Sequence, residues 1–338
     1  MKAIDIHSHF LPASWEDLGR KFGTADWPSM RQSDDGKGML MLGDREYRPV
    51  YSACWDPILR LEEMDRDGLS QQIISATPIL FAYERPVDQA LYCAQMFNDA
   101  ALEICSGGKG RLHALAQVPL QDIDASCAEA SRAMESGHLG VQIGNHVGLK
   151  NLDDEGIVTF LQHCAGQGIP VFVHPWDMFG SERTSRYMMG WTVGMPAETQ
   201  LSIVSMILGG AFDRISRDLK ICFAHGGGSF VFLLGRLDNA WQHRDIARGH
   251  SLHPPSHYLD RFYLDSAVFD DGSLRLLVEK MSEDRVMFGT DYPFPLGEQK
   301  MASLVRESDS ISEGAKLKIL STNAMSFFGI TDNSGSTE

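Results

Sequence analysis

His7 and His9 stand two residues apart in the run Asp5-Ile6-His7-Ser8-His9. On an extended strand, residues two apart share a face, so both imidazoles point the same way. Three further apolar runs end on side chains of the same chemical kind. These are Val173-His174-Pro175, Ala224-His225-Gly226-Gly227-Gly228 and Gly289-Thr290-Asp291-Tyr292-Pro293. Imidazole nitrogen and carboxylate oxygen are the donors that bind zinc, and an ion left with an open position lowers the pKa of its bound water towards about 7. Each residue alone has a plainer reading. A lone His-x-His pair arises by chance, a single buried histidine is usually a hydrogen-bonded core residue, and Asp291 before Tyr-Pro suits a turn. Gly226 to Gly228 suit a simple strand-to-helix connection. Five such residues at the ends of four apolar runs point instead to one shared metal site.

The elements that must position them follow from the apolar pattern. Strands are expected at 3–9, 71–78, 112–120, 139–145, 170–175, 219–225, 261–266 and 285–292. Helices are expected at 57–68, 87–105, 122–137, 153–168, 196–215, 229–247, 272–282 and 314–328. Strand followed by helix, repeated eight times, points to a closed (β/α)8 barrel of the TIM type more than to a doubly wound open sheet, and where the chemical residues fall decides between them. In that architecture the C-terminal strand ends carry the chemistry, and there the candidate ligands fall. One stretch breaks the rhythm. Residues 11–56 form an insertion after the first strand, with a hairpin expected over 39–51, and its place at the catalytic end makes it a candidate cover for the site. Residues 1–330 read as one catalytic domain including that insertion, and 331–338 as a disordered tail.

Composition narrows the partners. A net charge of −15 argues against nucleic acid as a partner, because phosphate binding needs a basic face. No run of about 18 apolar residues is present to span a membrane, and the N-terminus lacks a signal-peptide pattern. The six cysteines are scattered without a Cys-x-x-Cys pair, which suits reduced thiols in a cytoplasmic protein. An anionic substrate would need a few arginines to make a local positive site within this acidic chain.

Longer runs carry a specific resemblance. They include Arg48-Pro49-Val50-Tyr51, Trp55-Asp56-Pro57, Ala116-Gln117-Val118-Pro119-Leu120, Gly144-Asn145-His146 and His174-Pro175-Trp176-Asp177-Met178. They continue through Met195-Pro196-Ala197-Glu198-Thr199, His225-Gly226-Gly227-Gly228-Ser229-Phe230, Gly235-Arg236-Leu237-Asp238 and Asp291-Tyr292-Pro293-Phe294-Pro295. Over nearly its whole length the chain resembles the decarboxylase group of the amidohydrolase superfamily, the family that acts on 2-amino-3-carboxymuconate 6-semialdehyde. The resemblance implies that His7, His9, His174 and Asp291 hold one zinc per subunit, and that His225 is the acid/base. It implies that Arg48 and Arg236 bind the carboxylates of a small dicarboxylate, with Arg236 donated across a homodimer to the neighbouring active site. Trp191, Met178 and Phe294 are candidates for the apolar wall. Two-metal members of the superfamily carry a bridging lysine at the end of strand four; here that strand reads Val141-Gln142-Ile143-Gly144-Asn145, so a single metal is expected.

Loss of CO2 directly from an alkenyl carboxylate would leave a localised carbanion. The carbon bearing the carboxylate must first be made tetrahedral, by addition to the conjugated system and protonation, which gives the departing electrons a sink. The resemblance therefore implies a non-oxidative decarboxylase of aromatic degradation. Two rivals stand beside it: a metal-dependent hydrolase, or a decarboxylase of a related muconate or aromatic acid, on the same scaffold. A protein with a purely structural zinc is a third, opposed by the free base His225, since structural sites are closed and often rich in thiolate.

Overall fold

A computed structural model describes residues 2–33, 36–180 and 182–331, so the expected tail lies, from 332 onward, outside the described residues. Among the described residues thirteen strands follow in chain order: β1 (Ala3–Phe10), β2 (Pro28–Gln32), β3 (Lys37–Leu42), β4 (Arg45–Tyr51), β5 (Leu69–Ala76), β6 (Leu112–Gln117), β7 (Gly140–Ile143), β8 (His146–Val147), β9 (Lys150–Asn151), β10 (Val171–Val173), β11 (Ile221–Phe223), β12 (Tyr263–Asp265) and β13 (Val286–Met287). Eight of them form one sheet in the order β1-β5-β6-β7-β10-β11-β12-β13, and every neighbouring pair is parallel. The Ile6 amide donates to the Phe288 carbonyl at 3.0 Å and the His9 amide to Tyr292 at 2.7 Å, which brings the last strand's end against the first and closes the barrel. Strands buried on both faces read as unbroken apolar runs, as Val171–Val173 and Ile221–Phe223 do.

The helices start and stop on local signals. Asp56, Asp122, Asp154 and Asp270 each accept a hydrogen bond from a first-turn amide of the helix that follows. The helix expected over 196–215 is two: Met195–Leu208 and Ala211–Arg214. Between them Gly210 is left-handed, with φ +71°, and its Cβ position would lie 2.9 Å from the His250 carbonyl oxygen, so the chain turns where only glycine fits. No helix among the described residues is long and apolar enough to cross a membrane.

The insertion holds more than a hairpin. Strands β3 and β4 pair as expected, and β2 adds a third, antiparallel to β3. Leu18, Trp27, Leu40 and Val50 of the insertion share an apolar cluster with Phe10, Ile74 and Phe97 of the barrel, which fixes the small sheet to the barrel.

Arg60 fastens the base of the insertion to the first strand. It lies on the helix Pro57–Asp67 and has no exposed surface. Its Nη2 donates to the His9 carbonyl at 2.6 Å and to the Ala53 carbonyl at 2.8 Å, and its Nη1 to Gln72 Oε1 at 2.8 Å. Arg60→Met leaves two buried carbonyls short of donors, at about 1–3 kcal/mol for each unsatisfied group. We expect a loss of about 2–4 kcal/mol, read as a lowered denaturant midpoint with unchanged slope. A midpoint within error of the parent would show that these bonds are replaceable.

Candidate metal centre

Strand β1 delivers His7 and His9 to the barrel interior. Its register against β5 slips between Asp5 and Ser8, so the strand bulges at Ile6 and His7. The Asp5 carboxylate steadies the bulge, accepting from the His7 amide at 3.1 Å and from the Thr290 hydroxyl at 2.6 Å. The Asp291 amide donates to the His7 carbonyl at 2.9 Å, so the segment after β13 arrives already tied to β1. His174 follows β10, and His225 follows β11 by two residues. Both His225 and Asp291 have left-handed backbones, φ +55° and φ +61°, a strained conformation that tends to gather at functional sites.

These strand ends converge. His7, His9, His174 and Asp291 each offer one ligand atom, and all four atoms lie within 4.8 Å of one another. His9 Nε2 is 3.1 Å and His7 Nε2 3.5 Å from Asp291 Oδ1. The His174 Nδ1–H donates to the Pro175 carbonyl at 2.8 Å, which leaves Nε2 as the free acceptor. The Nε2 atoms of His7 and His174 are buried without a hydrogen-bond partner. Buried, unpartnered lone pairs facing one carboxylate are costly in an empty site and are what a cation coordinates, so these residues fit a metal ion.

The electrostatics point the same way. Burial pushes the His9 imidazole down to about 4, against the pull of Asp291. Burial also holds His174 well below the ordinary imidazole range, helped by the neighbouring His9 and His225. Both are therefore neutral and ready to bind metal. Burial works against ionised Asp291, yet the surrounding His225, His9 and His7 keep its carboxyl well below the usual range. His7 moves the other way. Burial opposes its charge, but Asp265 beside it raises its pKa.

His225 stands apart from the four. Its Nε2 is 3.7 Å from Asp291 Oδ2, and neither ring nitrogen has a hydrogen-bond partner. Its ring centroid lies 5.0 Å from those of both His7 and His174.

A cavity of about 380 Å3 opens on the site, lined by His9, His174 and Asp291, by Tyr47 and Arg48 of the insertion, and by Met178, Trp191 and Phe294. The Arg48 guanidinium stacks on the Phe294 ring at 3.5 Å, and one of its terminal nitrogens is buried without a partner. Arg236 is not brought here; it is exposed on the helix Phe230–His243. Trp176 and Met195 are among the lining residues that escaped the reading of the chain as cavity wall. Asp265, at the end of β12, also escaped it. Its Oδ2 is 2.6 Å from His7 Nδ1. A carboxylate at the end of a predicted barrel strand was the available signal.

Fold and site together define a (β/α)8 barrel with one metal-binding cluster at its catalytic end, among the described residues. Residues 4–330 match the family model described as Amidohydrolase, and the chain belongs to that family. It is 40% identical over 332 residues to 2-amino-3-carboxymuconate-6-semialdehyde decarboxylase of Dictyostelium discoideum, covering 98% of this chain and 92% of that one. Among solved structures it superposes on Metarhizium anisopliae IDCase in its apo form with a TM-score of 0.82, at 24% identity over 97% of each chain. It also superposes on 5-carboxyvanillate decarboxylase of Novosphingobium aromaticivorans, complexed with manganese and 4-hydroxy-3-methoxy-5-nitrobenzoic acid, with a TM-score of 0.80 at 23% identity over 97% of this chain and 96% of that one.

Proposed function

We propose that this protein is a zinc-dependent, non-oxidative decarboxylase that converts 2-amino-3-carboxymuconate 6-semialdehyde to 2-aminomuconate 6-semialdehyde and CO2. The observation that carries the reading is the uncommitted imidazole of His225 beside a four-ligand metal cluster, three of whose ligands, His9, His174 and Asp291, line an apolar cavity with a buried guanidinium. The substrate named for the Dictyostelium relative supplies the particular acid.

The chain's own residues account for the steps a decarboxylation needs. Arg48 offers its unpartnered nitrogen to a substrate carboxylate, and Phe294 beneath it limits where that carboxylate can lie. Met178, Trp191 and Phe294 exclude water from the carbon skeleton. His225, through Nε2 where it faces Asp291, takes a proton from the attacking oxygen and delivers one to the carbon bearing the leaving carboxylate. When bound, a divalent ion supplies Lewis acidity and a water whose pKa lies near about 7. Three imidazoles and one carboxylate suit zinc, one per subunit; the manganese in the Novosphingobium structure makes that ion the alternative.

The working assembly is a homodimer in which Arg236 of one subunit completes the carboxylate site of the other. In support, Phe232 on the same helix is 77% exposed, and Phe269, which lines the same cleft, is 51% exposed. Residues 1–330 act as one catalytic domain, and the insertion 11–56 partly covers the site through Tyr47 and Arg48. The protein works in the cytoplasm, in keeping with six free thiols, on the kynurenine route of tryptophan breakdown or a related aromatic degradation.

The test uses zinc-loaded protein and freshly generated semialdehyde, following its absorbance together with CO2. Enzyme-dependent loss with stoichiometric CO2 is expected. Decay no faster than spontaneous cyclisation, in fully loaded protein, would move the assignment to an aromatic carboxylic acid. The flat walls of Trp176 and Trp191 favour that second reading.

A further inference from the structure

We propose that Asp265 is a positioning residue for the metal centre: its carboxylate selects the ring form of His7 that can bind metal, and it anchors the turn carrying His225. The inference rests on the metal-site reading above. Asp265 is the last residue of β12 and has no exposed surface. Its two oxygens are divided between two parts of the site. Oδ2 lies 2.6 Å from His7 Nδ1. Oδ1 accepts from the Gly226 amide at 2.8 Å and the Ala267 amide at 3.1 Å.

An ionised carboxylate has no hydrogen to give, so the hydrogen in the short contact belongs to Nδ1 of His7. A neutral imidazole has one N–H, and once Nδ1 holds it, Nε2 presents a lone pair. That Nε2 is the buried atom without a partner, 3.5 Å from Asp291 Oδ1. The other oxygen acts on the backbone. Gly226 directly follows His225, whose left-handed φ of +55° has to be held by its surroundings. One carboxylate thereby sets the distance between a metal ligand and the free base.

The last strand of the barrel is shaped around the pair. A Cβ on Gly289 would lie 2.7 Å from His7 Cβ and 3.1 Å from Asp265 Cβ, so a side chain there would displace one or the other. A carboxylate serving only to fill the core would not need both oxygens committed to the neighbourhood of the site.

Asp265→Asn tests this with little change of shape. Its amide oxygen still accepts from Gly226 and Ala267, so its NH2 faces His7. Nδ1 can then only accept, the imidazole hydrogen moves to Nε2, and the lone pair for the metal is lost. We expect zinc affinity, measured by chelator competition, to weaken by about 10- to 100-fold, with the thermal midpoint of the metal-free protein nearly unchanged. Nitrogen-15 spectra of histidine-labelled, metal-free protein, recorded at a pH where His7 is neutral, should show its one hydrogen on Nδ1 in the parent and on Nε2 in D265N. The parent spectrum needs no variant to fold. Hydrogen on Nε2 in the parent, or parent-like zinc affinity in folded D265N, would overturn the assignment. A parent showing the Nδ1–H form but no zinc binding would sink the metal-site reading, and the proposal with it.

Discussion

His225→Asn is expected to lower kcat by about 100- to 10,000-fold, the usual contribution of a positioned acid/base, while zinc content stays at the parent level. The two readouts together decide the role of this residue. His225 Nε2 is 3.7 Å from Asp291 Oδ2, near enough to move a proton within the site, and it lies outside the four-atom ligand cluster. Asparagine is the better replacement than alanine because position 225 has φ +55°, a conformation asparagine tolerates. KM should change little, because the proposed role of holding the substrate carboxylate belongs to Arg48 and not to His225. If zinc content falls in step with kcat, His225 is a ligand and another group moves the proton.

Removing the metal should abolish turnover and also loosen the fold. Chelation takes away the charge that balances Asp291 and returns the Nε2 atoms of His7 and His174 to an unpartnered state. A ligand present at a thousand times its dissociation constant stabilises by about 4 kcal/mol, so the apoprotein should melt several degrees lower. Protons compete with the ion for the same nitrogens, so affinity falls as pH falls. His7 should lead, because in the metal-free site Asp265 raises its imidazole above the ordinary value. His9, pushed down to about 4, follows only in stronger acid. Apparent affinity should therefore drop about tenfold per pH unit as the pH falls below the raised value of His7, the slope of one proton, and more steeply below about 4. A two-proton slope already at neutral pH would contradict this order. Restoring activity separately with zinc and with manganese identifies the working ion.

The first strand shows how much was legible in the chain. His7 and His9 could be placed on one face because side-chain alternation along a strand is local and needs no partner. The eight strand-to-helix alternations were legible for the same reason, since caps such as Asp56 and Asp122 act within one turn. Because a closed parallel barrel gathers all its strand ends at one rim, His174, His225 and Asp291 could be grouped with them before any distance was known. The motifs around them carried the family.

What the chain did not reveal is what depends on register and on contacts between distant segments. β2 escaped notice because Pro28–Gln32 lacks an alternating apolar face and becomes a strand only by pairing with β3. The stacking of Arg48 on Phe294, the burial of Arg60 under His9 and Ala53, and the bulge at Ile6 and His7 have no local pattern. Asp265 and His7 are 258 residues apart and meet only because the barrel closes. The sequence by itself determined the kinds of donor, their order and the rim on which they stand, because spacing within a strand is short-range geometry. Only the tertiary structure decided which nitrogen of His7 faces the other ligands, because the ring's orientation is set by the hydrogen bond on its far side, and that partner, Asp265, comes from another strand.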